Sequence, residues 1–217
     1  MLLHGVRLSK SSLAHVAADF VDAGYRALLV DSRGHGASSG RYLTYGSVEA
    51  RDVAQLLDAV EREGNTLGPV GIFGYSYGGA VAIQAAAADP RAKAVVAVAP
   101  FASLREVVGD YRCRYLPWPL SEIPDGWFQT AVDDAGQLTA FDPDEGAPLR
   151  AAEQSTARLL IIHGTDDTQV PLRHGVALAR AAGSRSQLVE VAGAGHVDVL
   201  VDRSGFVRHR AVDWFAR

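Results

Sequence analysis

The stretch Pro69-Val70-Gly71-Ile72-Phe73-Gly74-Tyr75-Ser76-Tyr77-Gly78-Gly79-Ala80-Val81-Ala82-Ile83-Gln84-Ala85-Ala86-Ala87-Ala88 decides the fold. It opens on a short apolar run, PVGIF, and closes on a run of helical character, AVAIQAAAA. Between them lies Gly74-Tyr75-Ser76-Tyr77-Gly78, a G-x-S-x-G nucleophile-elbow pattern that acquires meaning only between a buried strand and a helix. In a chain with 22 glycines the bare pattern arises by chance; the flanks give it weight. A serine on so sharp a turn takes a strained backbone. Its neighbours two before and two after therefore have to lack side chains, and Gly74, Gly78, Gly79 and Ala80 supply the clearance. The turn lifts the Ser76 hydroxyl out of the sheet, and the following helix aims its positive end at it.

Working outward, four further runs have strand character: Arg26–Asp31, Lys93–Ala99, Arg158–His163 and Ser186–Val191. Most are apolar at successive positions, as strands are when helices cover both faces of a parallel sheet. Helical patterns separate them at about Ser12–Ala23, Ser47–Glu63, Tyr77–Ala88, Leu172–Ala182 and Asp198–Ala216. Gly24 and Asp89-Pro90 supply stops. Strand and helix alternating this regularly predict an α/β class, doubly wound and mostly parallel sheet in one domain over residues 1–217. The rhythm lapses between Pro100 and Arg158, where Tyr111, Tyr115, Trp118, Trp127, Phe128 and Phe141 stand among five prolines. So long an excursion between core strands reads as a functional insertion, approximately residues 101–150. A lid or wall over the carboxyl ends of the strands is expected, because ligands bind there in such sheets.

A serine is a poor nucleophile until a base takes its proton and a third group orients that base. Seven histidines compete. His15 and His209 read as solvated, and His174, behind Pro171, as a surface residue. His35 sits in the Gly-rich turn Asp31-Ser32-Arg33-Gly34-His35-Gly36, while His4 and His163 each precede a glycine at a strand end. His196 stands alone in Gly193-Ala194-Gly195-His196 after the last strand, in what reads as an exposed, mobile loop that reaches the elbow. It is the best candidate base. The orienting carboxylate is sought at a strand end between serine and histidine, where Asp166 and Asp167 follow RLLIIHGT. Adjacent residues point in different directions, so one holds the imidazole and the other caps the turn.

Composition removes several classes. Arg and Lys number 21 against 25 Asp and Glu, a net −4 with both signs dispersed, which is not the basic face of a nucleic-acid binder. Hydrophobic residues make up 48%, too many for a disordered chain and enough for a full core. The single Cys113 leaves no internal disulfide framework, and no apolar run nears the length of a bilayer span or signal core. A cytoplasmic enzyme without nucleic-acid or membrane partners is the expectation. Neither a metal-ligand cluster nor HExxH is seen, so no metal and no cofactor are expected. Gly34-x-Gly36 faintly resembles a dinucleotide fingerprint, but Gly40 comes too late and no helix opens there.

Taken together, the His4-Gly5 turn, D-x-RGHG-x-S from Asp31 to Ser38, the elbow, His163-Gly-x-x-Asp167-x-x-Val-Pro171 and the late His196 resemble the α/β-hydrolase superfamily. The likeness covers nearly the whole chain and is nearest to bacterial serine hydrolases of the serine aminopeptidase-like kind. It implies a Ser76–His196–Asp167 triad, with Asp166 merely a neighbour. It also implies an oxyanion hole made by the backbone N–H groups of Val6 and Tyr77. The expected chemistry is acyl transfer from a small ester or amide through an acyl-enzyme. The aromatics of the insertion suggest an apolar pocket and hence a carboxylic ester of short to medium chain. Arg105, Arg112 and Arg114 read more readily as solvated than as anchors for an acidic group; no other substrate-binding residue is assigned. A peptidase or acyltransferase on the same triad, or a silent binding protein, are the alternatives. The resemblance further implies two strands ahead of the His4-Gly5 turn, which here follows only Met1-Leu2-Leu3. Arg26–Asp31 is then a sheet edge with nothing to discourage pairing. Either the natural start lies upstream, or a partner such as a second copy covers the edge in a homodimer, or the terminal helices mask it.

Overall fold

A computed structural model describes residues 1–144 and 147–217, leaving aside the side chains of Cys113 and Ser121. Glu145 and Gly146, inside the expected insertion, and the Cys113 thiol lie outside the described set. In chain order the elements are β1 (Leu2–Leu3), α1 (Ala14–Asp22), β2 (Leu29–Val30), α2 (Glu49–Arg62), β3 (Val70–Tyr75) and α3 (Tyr77–Ala88). There follow β4 (Ala92–Val98), α4 (Leu104–Tyr115), α5 (Asp125–Thr139), α6 (Pro148–Gln154), β5 (Arg158–Gly164), α7 (Arg173–Ala182), β6 (Ser186–Val191), α8 (Asp198–Val201) and α9 (Phe206–Phe215). The strands form one sheet in the order β2-β1-β3-β4-β5-β6, every pair parallel. This is the doubly wound α/β architecture read from the sequence. Among the described residues no helix is long and apolar enough to cross a membrane.

The continuous apolar runs are explained by two cores. Ile72, Val95, Ala97, Leu159 and Ile161 face one layer, where α2, α3, α6 and α7 supply Val53, Ile83, Ala151 and Leu178. Their strand neighbours Phe73, Val96, Val98, Leu160 and Ile162 face the other, against Val16 and Phe20 of α1 and Val207 and Trp214 of α9. Because successive side chains of a strand point to opposite faces, covering both faces removes any polar alternation. Burying each Val, Leu, Ile or Phe contributes about 1.5–3 kcal/mol. Helix α3 is buried from Tyr77 through Ala86, which is why it is apolar all round and rich in alanine.

Two elements differ from expectation. Only Leu29–Val30 of the Arg26–Asp31 run is strand. Its sole neighbour, β1, offers two residues, giving the register Leu2↔Leu29 and Leu3↔Val30, and β2 is the edge of the sheet. At Asp31 the carboxylate accepts from the backbone of Lys10 (2.7 Å) and Ala37 (3.1 Å), so the chain turns out of the sheet. The long helix expected over Asp198–Ala216 breaks into α8 and α9. Gly205 there takes φ +75°, and the Asp202 carboxylate accepts from Val207 N–H at 2.6 Å, starting a new helix.

Between β4 and β5 the insertion is helical. It packs through Phe101, Leu104, Val107 and Val132 onto Ala80 of α3 and Val170 of the β5–α7 loop, with Tyr111 and Phe141 at the margin. Arg105 ties α4 to α5 and the following turn, bonding Asp133 (2.7 Å) and Asp144 (2.7 Å). Arg112 bonds Asp125 and the Ile123 carbonyl, and Arg114 lies over the Tyr115 ring. Trp118 and Trp127 face solvent; they are 81% and 74% exposed. The face of α5 that packs inward carries Val132 and Gly136, and Trp127 is not on it.

Candidate active site

The elbow has the strain its glycines foretell. Ser76 stands between β3 and α3 with φ +54° and ψ −118°, outside the ordinary regions for a side-chain-bearing residue. A Cβ on Gly74 would lie 2.1 Å from the Gly78 carbonyl oxygen, and one on Gly78 would lie 2.2 Å from that of Leu3. Ser76 N–H donates to the Val98 carbonyl at 2.7 Å, fixing the turn against β4.

The structure brings Ser76, His196 and Asp167 into one line. Ser76 Oγ is 2.9 Å from His196 Nε2, and His196 Nδ1 is 2.7 Å from Asp167 Oδ2. A carboxylate only accepts, so Nδ1–H donates to Asp167 and Nε2 is left to accept from the serine. The other Asp167 oxygen, Oδ1, accepts from Gln169 N–H (2.9 Å) and Val170 N–H (2.8 Å). Asp167 thus does both jobs that the sequence divided between neighbours: it orients the imidazole and caps the turn. Asp166 points away, its carboxylate meeting only the Thr165 hydroxyl at 3.0 Å. Burial by itself raises the Asp167 carboxyl. Hydrogen bonding from His163 and His196, the imidazole charge and Val170 N–H outweigh it, so the group is held well below the usual carboxylate range.

His196 is not the exposed residue expected from its glycine-rich surroundings; it is only 7% exposed. Its loop is zipped to the end of β5. Thr165 N–H donates to the Val191 carbonyl, Asp166 N–H to that of Ala194, and Gly193 N–H to the Thr165 hydroxyl. Gly164 lets the two loops meet, since a Cβ there would lie 2.1 Å from the Ala194 oxygen. Tyr75, which the sequence did not single out, donates its hydroxyl to the His196 carbonyl at 3.1 Å, with the rings 5.3 Å apart. Its only signal was adjacency to Ser76. Tyr75→Phe is expected to leave the fold intact and lower kcat about fivefold, as one net hydrogen bond of ~1 kcal/mol allows. Steady-state kinetics on a chromogenic ester checks this, and an unchanged kcat would remove Tyr75 as a positioning residue.

His4, His35 and His163 are buried and committed to turns. His4 Nδ1–H donates to the Gly5 carbonyl (2.7 Å), and its Nε2 accepts from Ser32 N–H (3.1 Å). His35 does the same between the Arg33 carbonyl (3.0 Å) and Arg7 N–H (3.1 Å). His163 Nε2–H donates to the Val170 carbonyl at 2.7 Å. Val6 therefore lies in a turn fixed on both flanks, and Tyr77 is the first residue of α3. Among the described residues, neither of these two backbone N–H groups donates to the protein.

His174 corrects an expectation. It is fully buried, not on the surface, because it accepts from Ala102 N–H (Nδ1, 3.2 Å) and donates to Asp110 (Nε2, 2.8 Å), joining α7 to the insertion. Burial lowers the pKa of His174 despite Asp110, and that of His4 likewise. Protonating either ring also sets a new N–H against a donor it now accepts from. The unfolded chain then binds more protons in acid than the folded one, so stability is present above the ordinary histidine pKa of about 6.5 and declines as pH falls below it. A falling Tm between pH 7.5 and 5 is the expected melting result, about 2–4 °C for each kcal/mol lost. His174→Gln should flatten that slope; a Tm level over the same range would contradict the assignment.

Comparison with known proteins shows the family and the fold. The serine aminopeptidase S33 family profile matches residues 1–133, and the TAP-like protein profile matches residues 140–216. An uncharacterized protein, YqkD, of Bacillus subtilis (strain 168) is 29% identical over 178 residues, covering 79% of this chain. The chain spans 56% of the length of that curated relative. Among solved structures, the Pyrococcus furiosus esterase Pf2001 superposes with a TM-score of 0.77 at 21% identity, covering 100% of this chain and 81% of the other. MGS-M2, an alpha/beta hydrolase enzyme from a Medee basin deep-sea metagenome library, does so with 0.71 at 18% identity, covering 100% and 88%. With one profile matching more than half of its length on this strand order, the chain belongs to the serine aminopeptidase S33 family of the α/β-hydrolase superfamily.

Proposed function

We propose that the protein is a serine hydrolase cleaving carboxylic esters of short to medium acyl chain through an acyl-enzyme. The observation that carries this reading is the continuous line Ser76 Oγ–His196 Nε2 (2.9 Å) and His196 Nδ1–Asp167 Oδ2 (2.7 Å), with Nε2 left as the acceptor. Ser76 Oγ attacks the ester carbonyl as His196 takes its proton. The tetrahedral oxyanion is held by Val6 and Tyr77 N–H, each such donor being worth about 3–4 kcal/mol. Collapse passes the proton from His196 to the leaving alcohol, and a water then attacks acyl-Ser76 by the same route to release the acid. Asp167 stays ionised throughout and supports the imidazolium. Since Ser76 is only 3% exposed, the groups around it have to part for substrate. An ester in place of an amide is favoured by the likeness to an esterase, while the family's name favours aminopeptide substrates.

The test is fluorophosphonate labelling of the purified chain beside a panel of p-nitrophenyl esters and aminoacyl-p-nitroanilides. Labelling with faster turnover of the esters is expected. Faster anilide cleavage would transfer the chain to the peptidases, and neither labelling nor turnover would overturn the hydrolase reading.

A further inference from the structure

One residue near the elbow is held with more care than its place in the sequence explains. Tyr45 has φ +54°, a left-handed backbone that a side-chain-bearing residue avoids. It is fixed there from three directions. The N–H groups of Thr44 and Gly46, its two neighbours, both donate to the buried Glu49 carboxylate at 2.8 Å, and the Thr44 hydroxyl adds a third bond at 2.6 Å. The Tyr45 carbonyl accepts from Gln84 Nε2 of α3 at 2.9 Å. Gly46 presses so closely on Gln84 that a Cβ would lie 1.8 Å from that nitrogen. Strain of this kind persists only where the surroundings over-determine it, and it gathers at ligand sites.

The ring so presented is half-buried at the junction of the elbow and the insertion. Its centroid is 5.9 Å from Tyr77, the residue after Ser76, and 6.0 Å from Phe101 at the root of the insertion, edge-on to both. It also packs on the cluster holding Val107 and Val170, with Tyr111 at its margin. Val170 in turn shares its N–H with the Asp167 carboxylate. A rigid aromatic ring therefore stands against the residue after Ser76, the root of the insertion and the cluster that holds Val170.

We propose that Tyr45 is a specificity-determining residue: its ring ends the acyl pocket and restricts the enzyme to short-chain acyl esters. The proposal rests on the serine-hydrolase reading above. The ring itself is the barrier, and its hydroxyl is not needed.

The experiment compares wild type, Tyr45→Phe, Tyr45→Leu and Tyr45→Ala. Each is assayed for kcat/KM on p-nitrophenyl acetate, butyrate, hexanoate, octanoate and decanoate, and for labelling rate with a short- and a long-alkyl fluorophosphonate. Wild type and Tyr45→Phe should share one profile, highest for acetate or butyrate. Tyr45→Ala, and Tyr45→Leu to a smaller degree, should raise the octanoate-to-butyrate ratio of kcat/KM by about tenfold or more and raise the long-to-short labelling ratio in parallel. Tyr45→Leu keeps most of the packing and so preserves the test if Tyr45→Ala does not fold. A wild type that takes no fluorophosphonate fails the serine-hydrolase reading. A wild type that is labelled, with both ratios unchanged in the folded Leu and Ala variants, overturns the role of Tyr45 alone; a purely structural residue would lower all rates together.

Discussion

Ser76→Ala is expected to lose ester turnover by a factor on the order of 10⁶ in kcat and to take up no fluorophosphonate, while remaining folded. Two features make the effect this large and this clean. Among the described residues, the Ser76 hydroxyl is the one side-chain group bonded to His196 Nε2, and it stands at the N-terminus of α3. The strained turn is fixed by Gly74, Gly78 and the Ser76 N–H bond to Val98, none of which involves the Ser76 side chain. Alanine occupies the same backbone state as serine, and only one hydrogen bond to a partly polar site is removed. Tm should therefore move by no more than about 2–4 °C. Titration of active sites with a labelled fluorophosphonate, beside a melting curve, checks both halves. Substantial turnover by a purified, folded Ser76→Ala protein would take this serine out of the reaction.

Asp167→Asn should cost about 10⁴-fold in kcat, whereas Asp166→Asn should change it less than about twofold. The asymmetry follows from what each carboxylate touches. Asparagine at 167 keeps its oxygen where Gln169 and Val170 N–H donate, because turning the amide nitrogen toward those donors would break both bonds. The amide NH₂ then faces His196 Nδ1, which has to accept. The imidazole is driven to the tautomer with its proton on Nε2, aimed at Ser76 Oγ, where it cannot take the serine proton. The loop keeps its shape and the base is lost. At 166 the exposed carboxylate meets only a hydroxyl one residue away. Equal losses in the two variants, or a greater loss at 166, would refute this assignment of the acid.

Much of this was legible in the sequence because it rests on local chemistry. The strand–Gly-x-Ser-x-Gly–helix stretch names its own fold, since only glycine at 74 and 78 tolerates backbone at about 2 Å from where a Cβ would stand. The apolar runs at β3, β4 and β5 declared a sheet covered on both sides, and His196 and the Asp166-Asp167 pair stood out by residue type and position after strands. Other features were illegible because they depend on partners far off in sequence. The shortness of β2 is set by β1, and the burial of His196 by bonds from Thr165 and Tyr75, the latter 121 residues away. The pinning of His174 needs Asp110, 64 residues earlier, and no periodicity reveals it. Tyr45 likewise acquires its place from Glu49, Gln84 and Phe101 together, not from its neighbours alone. The sequence by itself determined the fold class and named the candidate residues for the chemistry, because steric clearance, burial pattern and nucleophile type are properties of single residues and their immediate spacing. Only the tertiary structure decided that Asp167 both holds the imidazole and caps its turn, that His174 is spent on joining α7 to the insertion, and which ring stands beside Tyr77. Those are distances, and side-chain direction at the end of a strand is fixed by the loops it packs against.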